Sequence, residues 1–189
     1  MPDDRVATTS AHAVAPSGVA ALSGAVAPSG VAALNRLSPE AAHQAFLGCC
    51  ASERWVTQME RGRPYASSDA VFGQAVEAFD TLVREDWLQA FAAHARIGAP
   101  RAGDERGAKE QAGVSATDAE ELAALRDGNQ RYEAKFGHVF LIRASGLDAR
   151  EILASLRQRL GNSPACELEI AADQQREITR LRLGDLLAS

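Results

Sequence analysis

His94 and the pair Glu110-Gln111 are the residues of this 189-residue sequence whose types and placing could do chemistry. His94 closes the alanine-rich stretch AFAAH, just ahead of Arg96, Gly98 and Pro100; Glu110-Gln111 stands where a glycine- and charge-rich run returns to structure. An imidazole and a carboxylate converging on one cleft form a general acid–base pair whose proton affinities tune each other. Each has a plainer reading when taken singly. A histidine suits a helix C-terminus through the dipole alone, and Glu110 shares a solvated charge run with Asp104, Glu105, Arg106 and Lys109. A long polar loop is costly to order inside a compact domain, so it is either functional or disordered. His138 reads as packed and hydrogen-bonded, His43 as structural, and His12 lies in an N-terminal tail. The chain shows no Cys/His or Ser/His/Asp arrangement and no phosphate-binding glycine loop, and His94 with Glu110 are too few ligands for a metal.

The elements that must hold these residues are helical. Ser38-Pro39 is a helix start, and a further segment around Arg54–Met59 is closed by Gly62 and Pro64. Ser67 or Ser68 opens a helix in which Val71, Phe72, Ala75, Phe79 and Leu82 recur at helical spacing. A short helix is expected from about Asp86 to His94, and Thr117-Asp118-Ala119-Glu120 reads as a capping box ahead of Leu122, Leu125 and Tyr132. The run GHVFLIRASG (137–146) is β-like but solitary, too short to make a sheet, and Phe136 before it reads as core. Asp148 caps the next helix, stopped by Gly161-Asn162, and the last helix covers roughly Pro164–Leu187. The expectation is an all-α domain over 34–189, of about seven to nine helices with one short extended strip. Residues 1–33 read as a disordered tail: Ala, Gly, Pro and Ser dominate, and AVAPSGVAAL occurs at 13–22 and again, letter for letter, at 25–34.

Composition narrows the function classes. The net charge of −5 lacks the basic stripe of a nucleic-acid footprint, and no apolar run reaches membrane-spanning length. Three cysteines, Cys49, Cys50 and Cys166, form neither a metal spacing nor an even disulfide set, which points to a reducing cytoplasm. The acidic start Met1-Pro2-Asp3-Asp4 is unlike a signal peptide, and Leu187-Ala188-Ser189 is no peroxisomal address.

Five stretches, CCASERWVTQMERGRPYAS (49–67), DWLQAFAAHARIG (86–98), KEQAGV (109–114), NQRYEAKFGHVFLIRASG (129–146) and REITRLRLGDLL (176–187), occur in order and with consistent spacing. Together they resemble the 2-oxo-4-hydroxy-4-carboxy-5-ureidoimidazoline (OHCU) decarboxylase family of urate degradation. The resemblance implies an all-helical fold, usually a homodimer, that uses neither metal nor organic cofactor and yields (S)-allantoin from a small ureidoimidazoline. Loss of carbon dioxide leaves an electron pair that the ring can accept, so the protein need supply only a base and acid, donors for developing charge, and a proton to one face. By the same resemblance His94 is the acid–base group and Glu110 its partner at the substrate hydroxyl. Gln111 binds ring or ureido amides, and Arg182 clamps a carboxylate or carbonyl, with Arg180 the neighbouring candidate. The backbone at Gly137, His138, Val139 and Phe140 donates to ring oxygens.

Two positions depart from the family pattern. The family usually has proline after the histidine, where this chain has Ala95, and a serine three residues before Glu-Gln, where it has Gly107. Proline disfavours helix at the residue before it, so with Ala95 the helix is expected to run on toward Gly98 or Pro100. Three readings follow: an active decarboxylase, a non-catalytic helical module that binds a ligand in the same fold, and an enzyme acting on a related ureido acid. The first requires His94, Glu110 and Arg182 to face one pocket.

Overall fold

Serine and aspartate side chains start most of the helices in this chain. The computed structural model describes residues 30–99, 103, 105–114 and 118–188. Ser38, Ser52 and Ser67 each accept a hydrogen bond from a backbone N–H in the first turn of α2 (Pro39–Cys49), α3 (Glu53–Arg61) and α4 (Ser68–Asp80), as N-caps do. Val83 N–H donates to Asp86 Oδ2 at the head of α5 (Arg84–Ala92). Asp118 caps α7 (Ala119–Phe136), and Asp148 forms a reciprocal box with Glu151 at the head of α8 (Ala149–Arg159). α1 (Gly30–Arg36), α6 (Glu105–Glu110), a 3-10 turn (Ala112–Val114) and the long α9 (Pro164–Ala188) complete the order.

Nine α-helices among the described residues agree with the expected all-α class, and the only bridge among them is an isolated one between Arg96 and Ala99. Some boundaries differ. Residues 30–33, assigned to the tail from sequence, are the first turn of α1; Leu34 is buried, Val31 packs on the core, and Asn35 exchanges two 2.8 Å hydrogen bonds with the backbone of Tyr65. Residues 1–29 of that tail lie outside the described residues. The cap of α7 is Asp118, one residue later than the Thr117 box, because its carboxylate accepts from Glu121 N–H. The polar stretch after His94 is not a plain loop but contains α6 and the 3-10 turn.

The buried side chains form two clusters. Phe46, Trp55, Phe79, Trp87 and Phe91 line up in the first, among α1–α5 and α9, with successive ring centroids 5.4–6.3 Å apart. Leu125, Tyr132, Phe136, Phe140, Ile152 and Leu156 make the second, between α7, α8 and the extended strip. Phe136 is core, as its position in the sequence implied. His138 joins the clusters, its ring 5.1 Å from Phe91 and 5.5 Å from Tyr132. Burial between these rings lowers its proton affinity below the usual histidine range.

The strip 137–146 is held without a partner strand. Gly137 ends α7 at φ 77° and Gly146 turns the chain at φ 86°, left-handed conformations that glycine adopts at no steric cost. Between them Arg159 donates 2.7 Å to the Leu141 carbonyl, and Gln174 Oε1 accepts from Arg143 N–H at 2.8 Å. Side chains thus replace a sheet ladder. No described helix is long and apolar enough to cross a membrane.

Candidate functional site

A cavity of about 250 Å³ opens at the seam of the two clusters, with Ile97, Phe140 and Ala144 on one wall and Leu141 and Ile178 on the other. It is smaller than pockets for drug-sized ligands, which run from about 300 Å³ upward, and suits a single small heterocycle. His94, Glu110, Gln111 and Arg182 all line it. Three separate stretches of sequence therefore meet where the expectation required them to.

Each of these side chains is held by a specific contact. α5 stops at Ala92, and His94 follows in a turn whose N–H donates to the Phe91 carbonyl. The helix does not run on past His94, contrary to what Ala95 suggested. Ala95 and Ile97 are buried, Asn129 donates 3.0 Å to the Ile97 carbonyl, and Arg96 pairs with Glu133 through two bonds of 2.6 and 2.8 Å. Gly98 then turns at φ 76°. Tertiary contacts do here what a proline would do locally. The Arg96 guanidinium holds the Glu133 carboxyl below the usual range.

Gln111 is buried and its Oε1 accepts from Gly98 N–H at 3.0 Å, which ties the end of α6 to the turn after His94. Glu110, one residue earlier, faces Arg182 in a two-pronged pair: Nε–Oε1 is 2.7 Å and Nη2–Oε2 is 2.8 Å. Arg106 donates 2.6 Å to the Gly48 carbonyl and also lines the cavity, with Lys109 and Arg143. Against these cations stand Glu110 and Asp185, so the lining favours an anionic ligand. Gly107 is buried and lines the wall without a hydroxyl, while Ser145 of the strip lines the same space.

The sequence-chosen strip residues divide. Phe140 lines the cavity, whereas Gly137, His138 and Val139 border a separate shallow cleft with Leu88, Ala92 and Glu133. The strip lines the cavity from Phe140 through Ser145. Arg180 does not line it; its near neighbour is Glu177, on the exposed side of α9.

Sequence reasoning missed the support behind His94. Its Nε2 lies 2.9 Å from Gln175 Oε1, on α9; Gln175 Nε2 donates 3.0 Å to Thr179 Oγ1, which donates in turn to the Cys49 carbonyl at 3.4 Å. Gln175 and Thr179 are wholly buried. Cys49 and Cys50 beneath them stay protonated near neutral pH, their thiols pushed up to about 11 and about 12 by burial. Among the described residues no three His, Cys, Asp or Glu side chains gather as ligands for a metal ion.

The model of the OHCU decarboxylase family matches residues 35–184. The uric acid degradation bifunctional protein TTL of Arabidopsis thaliana is 37% identical over 159 residues, 80% of this chain and 49% of that protein. The chain thus spans about half the length of that relative. The 2-oxo-4-hydroxy-4-carboxy-5-ureidoimidazoline decarboxylase of Amia calva is 33% identical over 133 residues, 67% of this chain and 75% of the relative. A crystal structure of an OHCU decarboxylase in the presence of (S)-allantoin superposes with a TM-score of 0.69 at 35% identity, covering 76% of this chain and 97% of that one.

Proposed function

The chain belongs to the OHCU decarboxylase family, and we propose that it converts 2-oxo-4-hydroxy-4-carboxy-5-ureidoimidazoline to (S)-allantoin in urate degradation, without a cofactor. The observation that carries this reading is the gathering of His94, Glu110, Gln111 and Arg182 in one cation-lined cavity.

The substrate's name fixes its reactive groups. C4 bears the hydroxyl and the carboxylate, and the remaining ring double bond joins C5, which carries the ureido group, to nitrogen. The bond from C4 to the carboxylate breaks, and its electron pair forms a C4–C5 double bond. The former C5–N pair settles on nitrogen, which takes a proton, and carbon dioxide leaves. The resulting enol then gives up its hydroxyl proton as the C4 carbonyl forms, and C5 receives a proton. Delivery to one face makes a single enantiomer.

In this scheme His94 and Glu110 move the protons. Arg182 meets a carboxylate or carbonyl of the substrate, and in doing so shares or exchanges the Glu110 carboxylate with which it pairs. Gln111, pinned by Gly98, presents its amide to the ring or ureido group, and the strip from Phe140 to Ser145 supplies backbone donors. The family resemblance supports a homodimer, and three cysteines without metal or disulfide spacing support a reducing cytoplasm.

The test follows the ellipticity of allantoin formed from freshly generated substrate. Wild-type protein is expected to accumulate one enantiomer quickly, and His94→Ala to lose a factor of about 10²–10⁴, the usual contribution of a positioned acid–base group. Racemic product at the spontaneous rate with wild-type protein would sink the proposal and leave a binding module.

A further inference from the structure

His94 sits at the end of a buried chain of hydrogen bonds whose direction is set from its far end. The Thr179 hydroxyl donates its hydrogen to the Cys49 carbonyl, so only oxygen lone pairs are left to face Gln175. The amide must therefore turn its Nε2 toward Thr179, as the 3.0 Å contact has it, and its Oε1 toward the imidazole. A turned-over amide would set a donor against whatever hydrogen the ring carries there and leave the buried Gln175 carbonyl without a donor. An unsatisfied buried polar group costs about 1–3 kcal/mol. The Cys50 thiol also contacts the Thr179 hydroxyl, but burial keeps it protonated near neutral pH, so it is a weak acceptor beside the Cys49 carbonyl. An acceptor 2.9 Å from Nε2 requires Nε2 to carry hydrogen.

We propose that Gln175 is the positioning residue of His94: its buried side-chain carbonyl, fixed by Thr179, holds the imidazole as the Nε2–H tautomer and makes Nδ1 the nitrogen that takes up a proton. The link to turnover rests on the decarboxylase reading, but the tautomer does not. The assignment also separates two adjacent glutamines of α9. Gln174 Oε1 serves the backbone of the strip at Arg143, while Gln175, one residue on and wholly buried, serves the histidine. Among the described residues, the charged groups that share the cavity with the imidazole are Glu110, Arg182, Arg106, Lys109, Arg143 and Asp185. All six are unchanged in a Gln175 or Thr179 variant, so a difference between proteins reports the relay.

The experiment records imidazole ¹⁵N spectra of the full chain labelled at histidine, with the His94 signals assigned by their loss in His94→Ala, and the pH profile of kcat/KM alongside. Wild-type protein is expected to show the Nε2–H tautomer above the ring's titration. Gln175→Glu places a carboxylate on Nε2 and should raise the pH at which the ring takes its second proton by about one unit, as an adjacent opposite charge does. The acid limb of kcat/KM should move with it. Thr179→Val frees the amide to turn and should mix the two tautomers and lower kcat on the order of tenfold with KM unchanged, as loss of an outer partner of a working histidine does. An Nδ1–H tautomer in wild-type protein overturns the proposal. So does an unshifted titration in folded Gln175→Glu, or, where that variant does not fold, a Thr179→Val spectrum and kcat like those of the wild type. The expected spectra from a protein without turnover would reject the decarboxylase reading and keep the positioning role.

Discussion

Two arginine–glutamate pairs in this protein use the same chemistry to different ends. Glu167 is wholly buried with Arg159, side-chain exposures being 0% and 7%. Its Oε1 accepts from Arg159 Nε and Nη2 at 2.8 and 2.6 Å and from the Tyr132 hydroxyl, and its Oε2 from Asn162 at 2.7 Å. The Arg159 guanidinium also stacks over Phe140 and holds the Leu141 carbonyl. The Tyr132 hydroxyl is driven well above the usual tyrosine range by burial and by its bond to Glu167. Every donor and acceptor of that pair has a use inside the fold. Glu110 and Arg182, by contrast, keep exposures of 31% and 15% on a cavity wall and meet through one two-pronged contact. A pair that water can reach can exchange partners at little cost, while a buried one cannot. The buried pair builds the strip; the half-buried pair is available to a ligand.

The sharpest way to break this contrast is to remove the buried carboxylate. Glu167→Leu strands the Arg159 charge in the core, and breaking such a pair from one side costs about 3–5 kcal/mol. For a chain of this size that corresponds to a Tm lower by roughly 10 °C, and an unchanged thermal melt would contradict the structural role. Arg182→Lys sharpens the other half. Lysine keeps the charge but not the fork, so stability should change by about 1 kcal/mol or less while KM rises on the order of tenfold, about 1.4 kcal/mol. Steady-state kinetics beside a melt separates the two.

A smaller effect tests the seam between the regions. Burial lowers the folded-state pKa of His138 below its ordinary 6.5, so near and below that pH the unfolded chain binds more protons than the folded one. Its contribution to stability is present above pH 6.5 and is lost as pH falls through the lowered folded value. Tm should therefore decline on acidification in the wild type, and less steeply in His138→Phe, which keeps a ring against Phe91 and Tyr132. Parallel curves would show that His138 is not the group responsible. The smallest change is expected from Ala95→Pro. Because buried Ile97, Asn129 and the Arg96–Glu133 pair already set the turn, stability should move by no more than about 0.5 kcal/mol and turnover by about twofold. A large gain in rate would return the positioning role to the missing proline.

How far the sequence was legible follows from the range of the forces involved. Ser38-Pro39, Ser67, Asp148 with Glu151, and Gly161-Asn162 act within a turn, so their helix boundaries read directly. The α7 cap slipped by one because Thr117 and Asp118 each stand three residues before a glutamate. α6 was invisible, being six residues long with no apolar stripe, and the first turn of α1 read as tail because it lies inside the repeated AVAPSGVAAL. They are ordered by Arg106 on Gly48, Glu110 on Arg182, Gln111 on Gly98, and Asn35 on Tyr65. His94, Glu110, Gln111 and Arg182 were chosen from sequence and share the cavity, whereas Gly137, His138 and Val139 fall outside it because Arg159 and Gln174 fix the strip's register. Gln175 carried no signal at all. Beside Gln174 in ADQQRE it is chemically identical, and only the packing of α9 against the end of α5 turns it toward His94.

The division of labour is tested most directly by Glu110→Gln, assayed for its melt and for the ellipticity of allantoin formed from fresh substrate. The account predicts a Tm within a few degrees of the wild type, since the pair is partly exposed, together with a fall in stereospecific turnover of about 10²–10⁴. A variant that forms (S)-allantoin at the wild-type rate would contradict it.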